Sequence, residues 1–316
     1  MLRLMLTIGL AGLVANAHGA AIAQGTAIER QDGFVDAYGV VIYYESIGRG
    51  APLMILHGGP GSSHGYFLPH LLPLAAHRRL LFIDERGSGR SQRLPDPKGY
   101  TLDNMVSDVE AVRVALELGK IDVLGHSFGG ILAQAYAIQH PDSVRRLILA
   151  GTGSSAARID ADFVRIKNAL EPGLRKRIED LEQRGIFDAS GAQLPEYRKL
   201  ADEAEGPYNY QRRPPSWDAA GEELGWDVLR EMWVTRSDFH IDGNLKGFDL
   251  TPGLRRLKIP TLIIYGDHDL LTDATAQETS AAIAGSRVFK VPDSGHNPFV
   301  DQPVAFLGAV GDFLSR

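Results

Sequence analysis

The sequence predicts an α/β fold with a mostly parallel central sheet, helices on both faces and an inserted helical cap. Short apolar runs alternate with helical patterns from about residue 35 onward, and several of these runs are unbroken. Unbroken apolar runs are expected of strands that are covered on both faces, as in parallel sheets. One long charged stretch in the middle of the chain has no strand-like run, which indicates a helical insertion.

The predicted strands are short apolar runs bounded by turn-forming residues, and the predicted helices are longer segments with apolar residues three or four apart. The last helix has a proline in its first turn, where a missing N–H is tolerated. In chain order the predicted strands are 40–44, 53–56, 80–83, 121–124, 147–149, 262–265 and 287–291. The predicted helices are 102–118, 129–140, 275–284 and 303–314.

The helical insertion is placed at residues 154–254, between two parts of the core at 30–153 and 255–316. It is rich in Arg, Glu and Asp. Its helical patterns are interrupted at Pro207, Pro214, Pro215 and Gly221. An insertion after a central strand lies above the carboxyl ends of the strands, where ligands bind in open α/β sheets. The sequence therefore predicts a cap over a ligand site.

The N-terminus has the pattern of a secretory signal peptide over residues 1–23. Arg3 precedes an apolar run, and small residues follow up to 21–23, which read AIA and form an A-x-A cleavage site before Gln24. The apolar run is too short for a permanent membrane span. The mature protein is therefore expected to begin near Gln24, to have no membrane anchor and to be periplasmic or secreted. The alternative is that this run is a buried first helix.

Composition narrows the range of partners and cofactors. The formal net charge of −6 at pH 7 does not favour nucleic acid or anionic membranes as partners. The chain has no cysteine, so disulfides, thiol nucleophiles and thiolate metal sites are excluded. Neither a His-x-x-x-His motif nor a carboxylate cluster occurs at metal-ligand spacing, so no metal ion is predicted. The expected partner is a small molecule or short peptide, and the oligomeric state stays open.

The strongest chemical signal is the segment 125–130, which reads GHSFGG and contains a G-x-S-x-G motif. It follows a predicted strand and precedes a predicted helix, which is the context that a nucleophile elbow requires. The flanking glycines let strand and helix approach without Cβ clashes, and the helix N-terminus favours negative charge beside the serine. Ser127 is therefore the predicted nucleophile.

A serine nucleophile needs a base, and after a nucleophile elbow the acid and then the histidine follow along the chain. His296 lies on a loop directly after the last predicted strand and is the predicted base. Asp269 follows the strand 262–265 at a spacing that clears the strand end, and is the predicted acid that orients the imidazole. Asp267, which we expect to bond local backbone, and Asp293 are the alternatives.

An oxyanion hole would complete the site. One donor is predicted to be the backbone N–H of Phe128, the residue after the nucleophile. The second is expected from the segment 57–61, which reads HGGPG and follows the strand 53–56. Its glycines leave the backbone free to turn N–H groups toward the site. Gly59 is the predicted donor, and Gly58 is the alternative.

Two segments taken together point to a known family. The first is HGGPG at 57–61, and the second is DERGSGRS at 84–91, which matches the pattern D-x-RG-x-GRS. With these motifs the chain resembles the prolyl iminopeptidase family of serine peptidases, over roughly residues 35–150 and 230–316. The second segment would be structural, with Arg86 paired to an internal carboxylate.

The resemblance implies the α/β-hydrolase fold, a catalytic triad, a cap that closes over the site and no cofactor. By resemblance the triad would be Ser127, Asp269 and His296. The family trims single N-terminal residues from peptides and holds the free amine with acidic side chains. The expected activity is therefore hydrolysis of an amide bond next to a free amine.

The family's amine-binding acids are only partly matched. One usual acid lies in an Asn-Glu-Phe segment at the end of the cap, where this chain has SDF with Asp238 in the middle. A second acid often follows the catalytic aspartate, where this chain has Leu270. An ammonium group in a dry pocket needs paired negative charge, so Leu270 would suit a less charged substrate. The predicted substrate contacts are Asp238, Gly58 and Trp233.

These observations predict a secreted serine hydrolase that cleaves amide or ester bonds through an acyl-enzyme. The first hypothesis is a prolyl iminopeptidase-like aminopeptidase or amino-acid amidase, and the alternative is an esterase or lactonase on small acyl substrates. A third hypothesis is a non-catalytic ligand-binding protein on a hydrolase scaffold. The presence of every required catalytic residue type argues against it.

Overall fold

An eight-stranded sheet forms the centre of the computed structural model, which describes residues 28–212 and 224–316. The strands are β1 (Arg30–Ala37), β2 (Val40–Ile47), β3 (Ala51–Leu56), β4 (Arg78–Ile83), β5 (Ile121–His126), β6 (Val144–Ala150), β7 (Thr261–Gly266) and β8 (Arg287–Val291). Their order across the sheet is β1-β2-β4-β3-β5-β6-β7-β8. Pairing is antiparallel between β1, β2 and β4, and parallel between the remaining neighbours.

Every predicted strand lies inside an observed one, and the α/β fold with a mostly parallel sheet is confirmed. Sequence reasoning missed β1. This strand is at the edge of the sheet, and of its residues only Val35 and Ala37 are buried, whereas Phe34 is exposed. A strand that buries so few side chains lacks the apolar run by which the other strands are recognised.

Helices cover both faces of this sheet. They are α1 (Leu68–Leu71), α2 (Leu102–Ala115), α3 (Phe128–Gln139), α4 (Ala156–Ala169), α5 (Pro172–Arg184), α6 (Pro195–Asn209), α7 (Trp226–Met232), α8 (Thr251–Leu254), α9 (Asp273–Ala282), α10 (Pro298–Asp301) and α11 (Pro303–Leu314). The helices predicted at 102–118, 129–140 and 275–284 are present with ends shifted by up to three residues. The helix predicted at 303–314 has the predicted bounds.

The alternation of side chains along β3 shows how two cores form. Met54 and Leu56 point into a core shared with α2, α3, α9 and the inserted helices. Leu53 and Ile55 point into a second core shared with α1, α10 and α11. Because successive residues of a strand face opposite sides, a strand buried on both faces must be apolar throughout. This is the pattern from which the central strands were predicted.

The described part of the segment 154–254 contains α4 to α8, together with two isolated bridges, Ser155–Asp249 and Phe187–Gln193. We call this segment the cap. Buried cap residues such as Ile166 and Tyr197 belong to the same apolar cluster as the sheet residues beneath them. Pro207, which we expected to interrupt a helix, lies inside α6 near its end. The exact boundaries of cap and core stay a prediction.

Some predictions concern residues outside the described ranges. They include the signal peptide at 1–23, its cleavage before Gln24, and the interruptions at Pro214, Pro215 and Gly221. Within residues 28–212 and 224–316, no helix is both long and apolar enough to cross a bilayer. In the same ranges no group of three or more His, Asp or Glu residues is arranged to hold a metal ion.

Candidate active site

The predicted nucleophile lies on a strained turn between β5 and α3. Ser127 has φ 55° and ψ −123°, a conformation that residues other than glycine rarely adopt. Its backbone N–H donates to the carbonyl of Ala150 at 2.9 Å, which ties the turn to the end of β6. Such strain persists only where the surrounding structure enforces it, and it is found mostly at functional positions. The turn has the strand–turn–helix form of a nucleophile elbow.

Two glycines make this turn possible because neighbouring backbone passes very close to them. A Cβ at Gly125 would come within 2.2 Å of the Gly129 carbonyl oxygen. A Cβ at Gly129 would come within 2.3 Å of the Leu56 carbonyl oxygen. Any side chain at these positions would therefore push α3 away from the sheet.

The predicted base and acid are bonded to each other. His296 Nδ1 lies 2.7 Å from Asp269 Oδ1, and both residues are more than nine-tenths buried. The same carboxylate oxygen accepts the backbone N–H of Leu271 at 3.0 Å, which fixes the carboxylate on its loop. Because Nδ1–H donates to Asp269, the lone pair of the neutral imidazole is on Nε2.

Ser127 and His296 border one cavity, directly below the cap. Among the described residues no hydrogen bond joins Ser127 Oγ to the imidazole, whose side-chain partner is Asp269. Catalytic hydrogen bonds are often long before substrate binds and shorten in the complex. The arrangement therefore brings the three predicted triad residues to one place, with the acid–base bond formed.

The competing candidates for the acid have other partners. Asp267 Oδ1 accepts the backbone N–H of Ser294 at 3.1 Å, as expected for a carboxylate that bonds local backbone. Asp293 is exposed and has a positive φ of 50°. His268 is also largely exposed and pairs with Asp267, so it does not compete with His296 for the role of base.

The glycine-rich loop after β3 borders the cavity through one of its glycines. Gly59 borders the cavity and has φ 121°. The N–H of Gly58 donates instead to Tyr66 Oη at 2.7 Å. A backbone N–H that is already bonded is a poor donor for a developing oxyanion, so the geometry favours Gly59 over Gly58. Phe128 is the first residue of α3, where backbone N–H groups have no partner within the helix.

A chain of hydrogen bonds that sequence reasoning did not find includes His126, the residue before the serine. It runs from Gly58 N–H to Tyr66 Oη, from Tyr66 Oη to His126 Nδ1 at 2.9 Å, and from His126 Nε2 to the carbonyl of His296 at 2.9 Å. Burial lowers the pKa of His126 well below its usual range, so this imidazole is neutral. The Gly58 N–H can only donate and the His296 carbonyl can only accept. Tyr66 Oη therefore donates to His126 Nδ1, and the Nε2–H of His126 donates to the His296 carbonyl.

The cavity has a volume of about 350 Å³, which lies within the range of small-molecule sites. One part of its wall is apolar. That part is formed by Ile131, Ile159, Phe163, Leu224, Trp226, Leu229, Trp233, Val234, Leu270 and Leu271. The predicted substrate contacts Trp233 and Asp238 both line the cavity, whereas Gly58 is not among its lining residues. The apolar wall suits an uncharged side chain of a small substrate.

Another part of the wall carries three carboxyl groups, from Asp202 and Glu205 on α6 and from Asp238. Burial, with the charges of Asp202 and Glu182 as further causes, raises the pKa of Asp238 to about 7, although a hydrogen bond from Gln193 opposes this. Burial and the charge of Asp238 raise the pKa of Glu205 well above its usual range. Carboxyl groups crowded in this way gain from a cation placed between them.

Sequence reasoning found Asp238 and missed Glu205. The spacing of polar residues along α6 is the sequence pattern from which Glu205 could have been predicted. Arg198, Asp202, Glu205 and Asn209 all line the cavity, and they lie three or four residues apart, on one face of the helix. Arg198 also stacks on the Trp226 ring at 5.5 Å from the ring centre. A cap helix with one polar, mixed-charge face indicates a recognition surface.

The segment 84–91 has the structural role that the resemblance implied. Arg86 bonds both oxygens of Asp108 on α2, each at 2.6 Å. Both side chains are buried, and such a two-pronged pair fixes the loop against the helix. Asp84 accepts the backbone N–H groups of His64 and Arg90, which holds the rest of the segment in place.

The chain is similar to known hydrolases over most of its length. Residues 51–303 match the model of a family described as alpha/beta hydrolase fold. A proline iminopeptidase of Heyndrickxia coagulans is 32% identical over 292 residues, which is 90% of this chain and 98% of that protein. A proline iminopeptidase of Saccharolobus solfataricus is 30% identical over 300 residues, which is 93% of this chain and 95% of that protein.

A solved structure shares the fold. The crystal structure of proline iminopeptidase of Mycobacterium smegmatis superposes with a TM-score of 0.78 and 24% sequence identity. The superposition covers 90% of this chain and 98% of that one. At that identity the likeness concerns the course of the backbone, so substrate and mechanism have to be argued from this chain's own residues.

Proposed function

The chain belongs to the α/β-hydrolase fold family, as a serine hydrolase related to the proline iminopeptidases, and on that premise we propose that it releases N-terminal residues from short peptides or amides. The observation that carries this proposal is the pair of crowded carboxyl groups, Glu205 and Asp238, in the cavity that Ser127 and His296 border. A free amine is the substrate group that such a pair recognises best.

In the proposed reaction, Ser127 Oγ attacks the scissile carbonyl while His296 Nε2 takes its proton. His296 then gives that proton to the leaving amine, and an acyl-enzyme remains on Ser127. A water molecule, deprotonated by the same imidazole, releases the acid and restores the serine. Asp269 holds the Nδ1–H tautomer and stabilises the imidazolium that forms in each step.

The oxyanion of each tetrahedral intermediate would accept hydrogen bonds from the Gly59 and Phe128 N–H groups. Both groups belong to backbone that is held close to Ser127, and the Gly59 loop is kept in place through Gly58 and Tyr66. Each such donor contributes roughly 2.7–4 kcal/mol to transition-state stability.

The substrate's ammonium group would lie between Glu205 and Asp238. In the free enzyme a pKa of about 7 for Asp238 keeps this carboxyl partly protonated near neutral pH. A bound ammonium supplies the missing positive charge, so the carboxyl loses its proton and the cation is retained. The apolar wall would hold the side chain of the N-terminal residue, which for a proline substrate is the three CH₂ groups of the pyrrolidine ring.

One observation favours a second candidate, an esterase or lactonase on small acyl substrates. Leu270, which directly follows the predicted catalytic acid, is buried and lines the cavity. It presents an apolar surface where the resemblance implied a carboxylate, and an uncharged acyl group would gain from that contact. Both candidates use the same acyl-enzyme chemistry and differ in how the substrate is held.

A substrate panel with matched variants separates the two candidates. We expect proline 4-nitroanilide to be hydrolysed with a higher kcat/KM than its cyclopentanecarboxylic analogue, which lacks the amine. Glu205→Gln and Asp238→Asn should lower kcat/KM by about tenfold or more for the proline substrate and by much less for the analogue. Glu196→Gln, an exposed change on the same helix, is the control.

The outcome that contradicts the aminopeptidase proposal is equal loss on both substrates, or a preference for the analogue and for short 4-nitrophenyl esters. That result would support the ester or lactone hydrolase. Labelling of the wild-type protein by a fluorophosphonate, and its loss in Ser127→Ala, would establish the serine chemistry independently of the substrate.

We also propose that the protein acts in the periplasm or outside the cell, on the strength of the leader-like pattern at residues 1–23. Expression of the full chain in a Gram-negative host, followed by cell fractionation and N-terminal sequencing, tests this. The expected product is an extracytoplasmic protein that begins at or near Gln24. An uncleaved chain that stays in the cytoplasm would contradict the proposal.

A further inference from the structure

The last turn of α6 and the loop that carries His296 share backbone hydrogen bonds. The N–H of His296 donates to the Tyr208 carbonyl at 2.8 Å, and that of Asn297 donates to the Asn209 carbonyl at 3.3 Å. Carbonyls at the end of a helix have no partner within it, so the loop supplies one here. A Cβ on Gly295 would come within 2.5 Å of the Tyr208 carbonyl oxygen, which shows how tightly the two segments approach.

A buried carboxylate closes this junction. Asp301, the last residue of α10, is 2% exposed. Its Oδ2 accepts the N–H of Gly295 at 2.8 Å, and its Oδ1 accepts the N–H of Arg212 at 2.7 Å. The N–H of Gln211 lies 3.0 and 3.1 Å from the two oxygens. One side chain therefore joins the residue before His296 to the chain that leaves α6.

We propose that Asp301 is a positioning residue that fastens the cap to the loop of the catalytic histidine and thereby sets the place of His296. The proposal rests on the role of His296 as the base. Glu205 lies three residues before Tyr208 on the same helix, so one rigid element holds both the amine-binding carboxyl and the backbone of the base. The cap then acts on the reaction rate as well as on substrate binding.

A side chain with two acceptor oxygens suits this position because three N–H groups converge on it. Asparagine has nearly the same size but replaces one oxygen by an NH₂ group, which cannot accept a hydrogen bond. Asp301→Asn is therefore expected to lose at least one of the three bonds while filling the same space. A small displacement of the base is sufficient to slow the chemical step.

The first test compares kcat with KM for Asp301→Asn on proline 4-nitroanilide and on 4-nitrophenyl butyrate. We expect kcat to fall by roughly tenfold to a hundredfold on both substrates, since a base displaced by about 1 Å loses that much. The KM for the uncharged ester should stay within about twofold, because uniform binding is unaffected. The rate of Ser127 labelling by a fluorophosphonate should fall by the same factor as kcat.

A second variant breaks the junction from the cap side and leaves the carboxylate intact. Gln211→Pro removes one of the three N–H donors, and Tyr210 before it is already extended, as a residue before proline must be. We expect a change in the same direction but smaller, because Arg212 still donates to Asp301. Asp301→Glu, which restores a carboxylate, should recover part of the lost kcat.

Asp122→Asn is the control for a purely structural effect. Asp122 is fully buried and bonded to Arg78, Arg145 and Arg146, at the opposite end of β5 from Ser127. We expect this variant to lose stability while its kcat per folded molecule and its labelling rate stay those of the wild type. Thermal unfolding and active-site titration provide the correction for unfolded protein.

The proposal is overturned if Asp301→Asn loses only stability, with kcat per folded molecule and labelling rate unchanged, as expected for Asp122→Asn. The labelling rate requires Ser127 and its base but no peptide substrate. If the wild type labels but does not cleave the proline substrate, the aminopeptidase proposal fails while the role of Asp301 is still decided.

Discussion

At the scale of single residues, two neighbouring aspartates compete for the role of the catalytic acid, and their hydrogen-bond partners distinguish them. Asp269 bonds the imidazole and Asp267 bonds the backbone of Ser294, although only one residue, His268, lies between them in the sequence. A short loop can present both carboxylates near one histidine, so spacing alone leaves both in contention. The hydrogen bond to Nδ1 is what distinguishes them.

We expect Asp269→Asn to lower kcat by about 10²–10⁴-fold, because an amide no longer favours the required tautomer or stabilises the imidazolium. Asp267→Asn affects a backbone contact to Ser294 and the pairing with the exposed His268, neither of which involves the triad, and should change kcat by less than about threefold. Steady-state kinetics on whichever substrate the panel identifies would measure both. If the two losses were interchanged, Asp267 would be the acid.

The raised pKa of Asp238 predicts a pH dependence of amine binding. At pH values below about 7 the carboxyl is protonated, so binding an ammonium group requires the release of that proton. Affinity for a free-amine substrate should therefore rise as the pH increases toward 7, until the substrate's own amine, with a pKa near 8, is deprotonated.

The measurement is the ratio of KM for the des-amino analogue to KM for proline 4-nitroanilide, from about pH 5.5 to 7.5. Taking the ratio cancels the titration of the triad, which both substrates share. We expect the ratio to rise by up to about tenfold per pH unit, and to rise less in Asp238→Asn. A ratio that stays constant over this range would contradict amine binding at Asp238.

The sequence predicts site residues that belong to short local motifs better than site residues whose role depends on tertiary contacts. Ser127, His296 and Gly59 were predicted and border the cavity, because a nucleophile elbow and a glycine-rich loop have short local patterns. Glu205 and Tyr66 were missed, because their roles depend on which side of a helix or loop faces the serine. That side is set by contacts between segments far apart in the chain.

At the scale of elements, the close approach of α3 to β3 holds the elbow and the glycine-rich loop together. A Cβ at Gly129 would come within 2.4 Å of the carbonyl oxygens of both Leu56 and His57, at the point where the two elements converge. Packing of this kind has no room for a methyl group. The distance between nucleophile and oxyanion donors therefore depends on one helix–strand contact.

We expect Gly129→Ala to lower the free energy of unfolding by about 1–3 kcal/mol and to impair turnover, since the added methyl pushes α3 off the sheet. Gly308→Ala is the matched control on α11, where a Cβ would meet no atom within 4 Å. That change should raise stability by about 0.5–1 kcal/mol, because alanine is a better helix former. Urea unfolding measures both, and equal effects would contradict the packing argument.

Strands that bury more apolar surface were easier to predict from the sequence than strands that bury little. Central strands such as β5 and β7 are buried at every position and were found with nearly correct bounds. The edge strand β1 has little to bury and, within residues 28–212 and 224–316, pairs with β2 alone, so its sequence carries no comparable pattern. Pro207 inside α6 shows that a proline near a helix end does not always interrupt the helix.

At the scale of the whole molecule, two cores on opposite faces of the sheet enclose several carboxyl groups. Glu85 is 2% exposed, and neither of its side-chain oxygens has a hydrogen-bond partner among the described residues. His57 lies 3.3 Å away, but burial lowers its pKa to about 4, so it is neutral and offers no charge. Burial raises the pKa of Glu85 well above its usual range, with the charge of Asp84 as a further cause.

A carboxyl that stays protonated in the folded state destabilises the fold as the pH rises above its ordinary pKa. The unfolded chain then releases a proton that the folded protein must retain, and the free energy of unfolding falls. Glu85→Gln has the same shape and no proton to retain. We therefore expect this variant to gain stability relative to the wild type with increasing pH, by at most about 1.4 kcal/mol per unit.

Urea unfolding of both proteins at about pH 5 and about pH 8 tests this expectation, because the difference between them isolates the one carboxyl from all other titrating groups. The gain should be small at the lower pH and clear at the higher one. A variant that is equally or less stable at both values would show that Glu85 is ionised in the folded protein.

The bonds between the end of α6 and the histidine loop bear on how this architecture can diversify. A cap exchanged as a complete block between relatives would bring new carbonyls to the histidine loop, and the imported segment would have to match the local backbone to retain a working base. Replacing residues on the cavity side of α6 leaves these backbone hydrogen bonds unchanged. New specificities should therefore arise more readily by point changes such as those at Asp202 or Glu205 than by transplanting whole caps.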